Sequence, residues 1–168
     1  MSLLSAGEPA PVVLFFIGNP SRGDDALGPE IHGRLAAWLE NAGLAAGFDL
    51  IEDFQLQIEH ALDLQGRQLA LFVDAGMQTP APFVFREISP STGMAHTTHA
   101  LSPEAVLQVA RQTNGTVPPA FVLCVRGESF ALGAPLSAAA GAAAEAALAY
   151  LQELCQQPGP AAWRAAQR

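Results

Sequence analysis

The chain has 168 residues, is 50% hydrophobic and carries a formal net charge of −8. That length suffices for one compact core and is short for two, and so apolar a chain is not disordered, so a single domain over 1–168 is expected. Its cations are eight arginines, scattered along the sequence, which excludes the basic patch that nucleic acid demands. No apolar run is long enough to cross a bilayer, and residues 1–11 carry Glu8 and prolines where a signal peptide has a basic segment. The expectation is a soluble, cytoplasmic monomer with flexible ends at 1–11 and 158–168.

Val12–Ile17 (VVLFFI) is a β-branched and aromatic run that stops at Gly18, the pattern of a strand buried on both faces. Ile31, Leu35, Trp38 and Leu39 then recur at helical spacing, with Pro29 near the first turn and Gly43 after the last. Residues 48–54 read as a strand, Ile58–Leu64 as a short helix, 69–73 (LALFV) as a second buried strand and Phe83–Ile88 as a more polar edge strand. A helix is expected over 102–112, with Ser102 as N-cap, Pro103 at its first position and Glu104 in its first turn. Residues 121–125 form the last buried strand, and the alanine-dense stretch 137–154 a closing helix packed tightly on the sheet. The tail from Pro158 lacks apolar periodicity and is expected to fray. This alternation implies a single-domain α/β three-layer sandwich: about five mostly parallel strands with helices on both faces.

In such sheets ligands bind beyond the carboxyl ends of the strands. Three stretches qualify: 18–25 after the first strand, with adjacent Asp24 and Asp25; Asp74 to Gly76 after LALFV; and the loop carrying His96 and His99 before the Ser102 helix. Two carboxylates and an imidazole brought together make an oxygen and nitrogen site suited to nickel or zinc, and a cation would relieve the repulsion between the acids. The bland readings stand beside this one. One aspartate of the pair can cap the following helix, Asp74 can open a turn, and histidines in a Thr-rich loop are commonly solvated. His32 and His60 lie in helical runs and read as surface or packing residues. Cys124 and Cys155 have no paired metal spacing and read as ordinary thiols. A phosphate-binding turn is excluded at 18–28, which lacks lysine and the required glycine spacing, and no serine or cysteine sits in a nucleophile elbow.

IGNPSRGDDALGP (17–29), FVDAG (72–76) and THALS (98–102), together with the later GESFALGAPLS (127–137), closely resemble the [NiFe]-hydrogenase maturation endopeptidases. The resemblance runs over most of the chain, about 12–154. It implies a cytosolic endopeptidase that removes the C-terminal extension of a hydrogenase large-subunit precursor after nickel insertion. The family's metal-contacting acids match Asp25 and Asp74 and its histidine matches His99, with nickel carried by the substrate. Asp24 is then expected to orient its neighbour or to cap the helix. The family's Asp-Gly-Gly-Thr-like turn is replaced here by Glu52-Asp-Phe-Gln-Leu-Gln57, and FQLQIEHALDL (54–64) resembles proteases serving soluble, NAD-linked hydrogenases. A non-catalytic nickel-site chaperone and a metal-dependent hydrolase of a small molecule remain open with the same three residues.

Overall fold

A computed structural model of the protein describes residues 7–91 and 101–168. Five strands form one sheet: β1 (Val12–Ile17), β2 (Phe48–Asp53), β3 (Leu69–Gly76), β4 (Phe83–Ile88) and β5 (Ala120–Arg126), in the order β2-β1-β3-β5-β4. β1, β2, β3 and β5 are parallel, and β4 runs antiparallel at the edge beside β5. The expected three-layer α/β sandwich is therefore what the chain adopts. β1 is buried at every position because it lies inside the sheet with side chains packed on both faces.

Alternation along the strands divides the core in two. Leu14, Phe16, Leu71, Val73, Phe121 and Leu123 face α1 (Leu27–Ala42) and α3 (Ala138–Gln156). Val13, Phe15, Ala70 and Phe72 face α2 (Pro103–Asn114) and the 3-10 helix Ile58–Leu64. Phe15 and Phe72 stack on neighbouring strands with ring centroids 4.8 Å apart. α1 buries Leu27, Ile31, Leu35 and Leu39 and ends at Gly43, whose left-handed conformation lets its N–H bond back into the last turn. Ser102 caps α2 as expected, its Oγ accepting the Ala105 N–H at 3.1 Å. Ala140, Ala143, Ala144 and Ala147 of α3 are buried in the same layer as α1, where small side chains permit close approach.

Two expectations are corrected. β3 does not stop at Val73: pairing with Cys124, Val125 and Arg126 of β5 carries it through Asp74 to Gly76, so Asp74 stands within the strand. The tail does not fray either. Pro160–Ala165 forms α4, which buries Trp163, and the Trp163 indole N–H donates to the Leu154 carbonyl at 3.1 Å. Beyond it, Arg168 exchanges both backbone hydrogen bonds with Phe85 on the free side of β4, at 2.7 and 2.8 Å. Near the other end, the Ala10 N–H donates to Asp49 Oδ2 at 3.1 Å, tying the chain down before β1 begins. Among the described residues, no helix is long and apolar enough to cross a membrane.

Candidate functional site

The strand order reverses at β1, with β2 on one side and β3 on the other, which is where open α/β sheets form a crevice at their carboxyl edge. Asp25 follows β1 and Asp74 stands near the end of β3, so both belong to that edge of the sheet. Asp25 lies in a 3-10 turn, Gly23–Ala26, that leads directly into α1, so its charge stands near the positive end of a helix. The Asn19 N–H donates to Asp25 Oδ2 at 2.7 Å and orients the carboxylate. Asn19, Arg22 and Asp25 form one wall of an open cleft of about 450 Å³, and Asp53, Phe54, Gln55 and Gln57 form the other.

Solvent reaches Asp74 from the open end of the sheet, yet the side chain is crowded on its other sides by protein. This desolvation pushes its carboxyl up to about 7; the Ala75 N–H, 2.7 Å from Oδ1, pulls the other way, and the charge of Asp25 pushes further up. The last contribution places the two carboxylates within electrostatic reach of each other. Neither has an ion-pair partner among the described residues. Cys124 is the register partner of Asp74 on β5, and its Sγ lies 2.9 Å from Thr79 Oγ1. Burial pushes the Cys124 thiol above its ordinary value, as it does Cys155, to about 12, so neither is a ready thiolate at neutral pH.

Asp24 behaves unlike its neighbour. It is fully buried, and it does not cap α1, whose N-cap is Ala26 without a side-chain bond. Its Oδ2 accepts the N–H of Glu128 at 2.6 Å, the N–H of Ser129 at 2.9 Å and the hydroxyl of Ser137 at 2.7 Å, while Oδ1 accepts the Ser137 N–H at 2.7 Å. Burial alone would raise its pKa, but these bonds outweigh that penalty and hold the carboxyl below the usual carboxylate range. The helix that Asp24 meets is α3, through its N-cap Ser137.

His96 and His99 lie outside the described residues. Among the described residues, no group of three or more His, Cys, Asp or Glu side chains converges as a metal centre. His32 and His60 take the packing roles expected of them. His32 stacks on Phe16 with centroids 5.1 Å apart and its Nδ1 lies 2.8 Å from Glu52 Oε1. His60 is buried, with Nδ1 accepting the Gln57 N–H at 2.8 Å. Cys124, Thr79 and the Asp24 to Ser137 contact were not legible as parts of this region, because each depends on tertiary pairing.

No protein-family model and no curated protein matches the sequence. Solved structures do match its fold. The [NiFe] hydrogenase maturation protease HycI from Thermococcus kodakarensis KOD1 superposes with a TM-score of 0.64 at 22% identity, over 90% of this chain and 96% of that one. The hydrogenase maturating endopeptidase HybD from E. coli gives 0.63 at 18% identity, over 88% and 93%. HybD from Thermococcus kodakarensis gives 0.62 at 16%, over 86% and 98%. The chain shares the architecture of these proteins across nearly its full length.

Proposed function

We propose that this protein is an endopeptidase of [NiFe]-hydrogenase maturation, which removes the C-terminal extension of a large-subunit precursor once nickel is in place. The observation that carries this reading is the placement of Asp25, in the turn after β1, and Asp74, near the end of the neighbouring parallel strand β3, at one edge of the sheet, with no ion-pair partner for either among the described residues. The likeness in fold to maturation proteases and the motifs at 17–29 and 72–76 support it. Phe54 after β2, Met77 after β3 and Leu132 after β5 are large exposed hydrophobics on loops at this same edge, more in keeping with a protein surface as substrate than with a small molecule. The resemblance of 54–64 to proteases serving soluble, NAD-linked hydrogenases supports a precursor of that kind.

In this reading Asp25, Asp74 and His99 meet the nickel that the substrate carries, and the free protease need hold none. The metal supplies Lewis acidity at the scissile carbonyl or to an attacking water. Asp25, oriented by the Asn19 N–H on its Oδ2, offers an oxygen to that ion. Burial pushes the Asp74 carboxyl up to about 7 while no cation among the described residues pairs with it, and it would meet the substrate's nickel as the carboxylate, releasing its proton as the ion arrives. Gly76 is demanded by the fold: a Cβ there would meet Thr79 Oγ1 at 2.1 Å and Cys124 Sγ at 2.6 Å. Proton transfer and carbonyl polarisation suffice for hydrolysis, with no covalent intermediate on the enzyme.

The test is direct. Purified protein incubated with nickel-loaded precursor should shorten it by the extension, as read by intact mass. Asp25→Ala, Asp74→Ala and His99→Ala should each stop the cleavage while the protein stays folded by circular dichroism. Tight binding of the precursor with its length unchanged would favour the chaperone reading instead.

A further inference from the structure

We propose that Asp24 is a positioning residue: its carboxylate, clasped by the loop after β5 and by the start of α3, fixes the orientation in which Asp25 presents its own carboxylate to the cleft. Its bearing on catalysis rests on the function proposed above; the clasp itself does not.

The two aspartates are consecutive in a single 3-10 turn, Asp24 buried and Asp25 half-buried at the cleft, so the first anchors the second. The hydrogen bonds of Asp25 itself are local. Its side chain takes the Asn19 N–H and its N–H reaches the Arg22 carbonyl at 3.1 Å, both within the same loop. The contacts that locate this loop against the rest of the protein run through Asp24 and its neighbours. The Asp24 N–H donates to the Ser129 carbonyl at 2.7 Å, and the Gly133 N–H donates to the Ser21 carbonyl at 2.7 Å. Gly23, with φ +57, is pressed so closely on the opposite loop that a Cβ would lie 2.4 Å from the Ser129 carbonyl oxygen. These partners are 104 to 113 residues away in sequence, so the turn is placed by tertiary contact.

The chemistry of the clasp demands an aspartate. Four donors, three backbone N–H groups and the Ser137 hydroxyl, converge on the two oxygens. An asparagine of the same shape would aim its NH₂ at a donor and break at least one of these bonds. No side-chain cation neutralises Asp24 among the described residues; the start of α3, where Ser137 also takes the Ala140 N–H on its Oγ at 3.1 Å, supplies the compensating dipole. The carboxylate therefore joins the loop that carries Asp25 to a 19-residue helix packed on the sheet. Outer residues of this kind, which hold a ligand in place without touching what it binds, commonly account for about tenfold to a hundredfold in affinity or activity.

The Asn19 amide reports the placement of Asp25 without metal or substrate, since its N–H is donated to Asp25 Oδ2. In the full-length protein, Asp24→Asn and Ser137→Ala should speed hydrogen exchange at Asn19 by about tenfold, the loss of one hydrogen bond. Ser137→Thr, which keeps the hydroxyl, should restore protection. Tyr150→Phe removes a hydrogen bond to the Ala166 carbonyl about 18 Å further along α3 and should leave Asn19 unchanged. Asn19 protection equal to wild type in both Asp24→Asn and Ser137→Ala would overturn the proposal, as would deprotection by Tyr150→Phe to the same degree. Should Asp24→Asn fail to fold, Ser137→Ala and its threonine rescue decide alone. Precursor cleavage by the same variants separates the two claims: Asn19 deprotected with cleavage at the wild-type rate upholds the clasp and removes Asp25 from the proposed chemistry.

Discussion

The backbone of Asp25 closes over Gly18 so tightly that a Cβ on residue 18 would lie 2.0 Å from the Asp25 carbonyl oxygen. Gly18 also has φ +153, outside the range side chains favour, and its N–H bonds to the Asp53 carbonyl at 3.0 Å. Gly18→Ala should therefore displace the turn carrying Asp25 while the sheet remains, with a stability loss of about 1–3 kcal/mol from backbone strain. Urea unfolding reads the loss, and precursor cleavage should fall far more than the folded fraction does.

Asp74 gives a pH signature. Its carboxyl is raised from 3.8 to about 7, so the folded state holds the proton more tightly than the unfolded one. Stability from this group is present at low pH and is lost as pH rises through that window. Asp74→Asn removes the ionisation, so with a chelator present its melting temperature should exceed wild type at pH 8, and the gap should close at pH 4. A constant gap across that range would mean that the wild-type carboxyl titrates normally.

The end of the chain is structural. Trp163→Ala empties a site that is 1% exposed, packed at the edges of the Phe85 and Phe121 rings with centroids 6.0 and 5.4 Å away. The expected cost is about 3–5 kcal/mol, measured by urea unfolding. A loss below about 1 kcal/mol would indicate that α4 is dispensable.

Most of this fold could be read from the sequence because its signals are local. VVLFFI announces β1, and Ser102-Pro-Glu announces the start of α2. The features that escaped depend on distant partners. Asp74 and Gly76 have no strand propensity of their own and become strand only through β5. α4 buries a single residue, Trp163, which leaves no periodicity to detect. Asp24 offered two plausible local roles, and its partners at 128–137 could not be foreseen from the turn that holds it. At the site, the positions of Asp25 and Asp74 at neighbouring strand ends followed from topology, whereas the raised carboxyl of Asp74 depends on how the folded chain crowds it.

The central claim is that Asp25 and Asp74 meet a metal brought by the substrate. Cleavage of nickel-loaded and nickel-free precursor, compared at equal concentration with purified protease in a non-chelating buffer near pH 7, tests it most directly. The account predicts loss of the extension from the loaded form and little or none from the empty form, with at least about a tenfold difference in rate, which needs only about 1.4 kcal/mol of preference. Equal cleavage of the two forms would contradict it and show that the paired aspartates serve something other than the substrate's nickel.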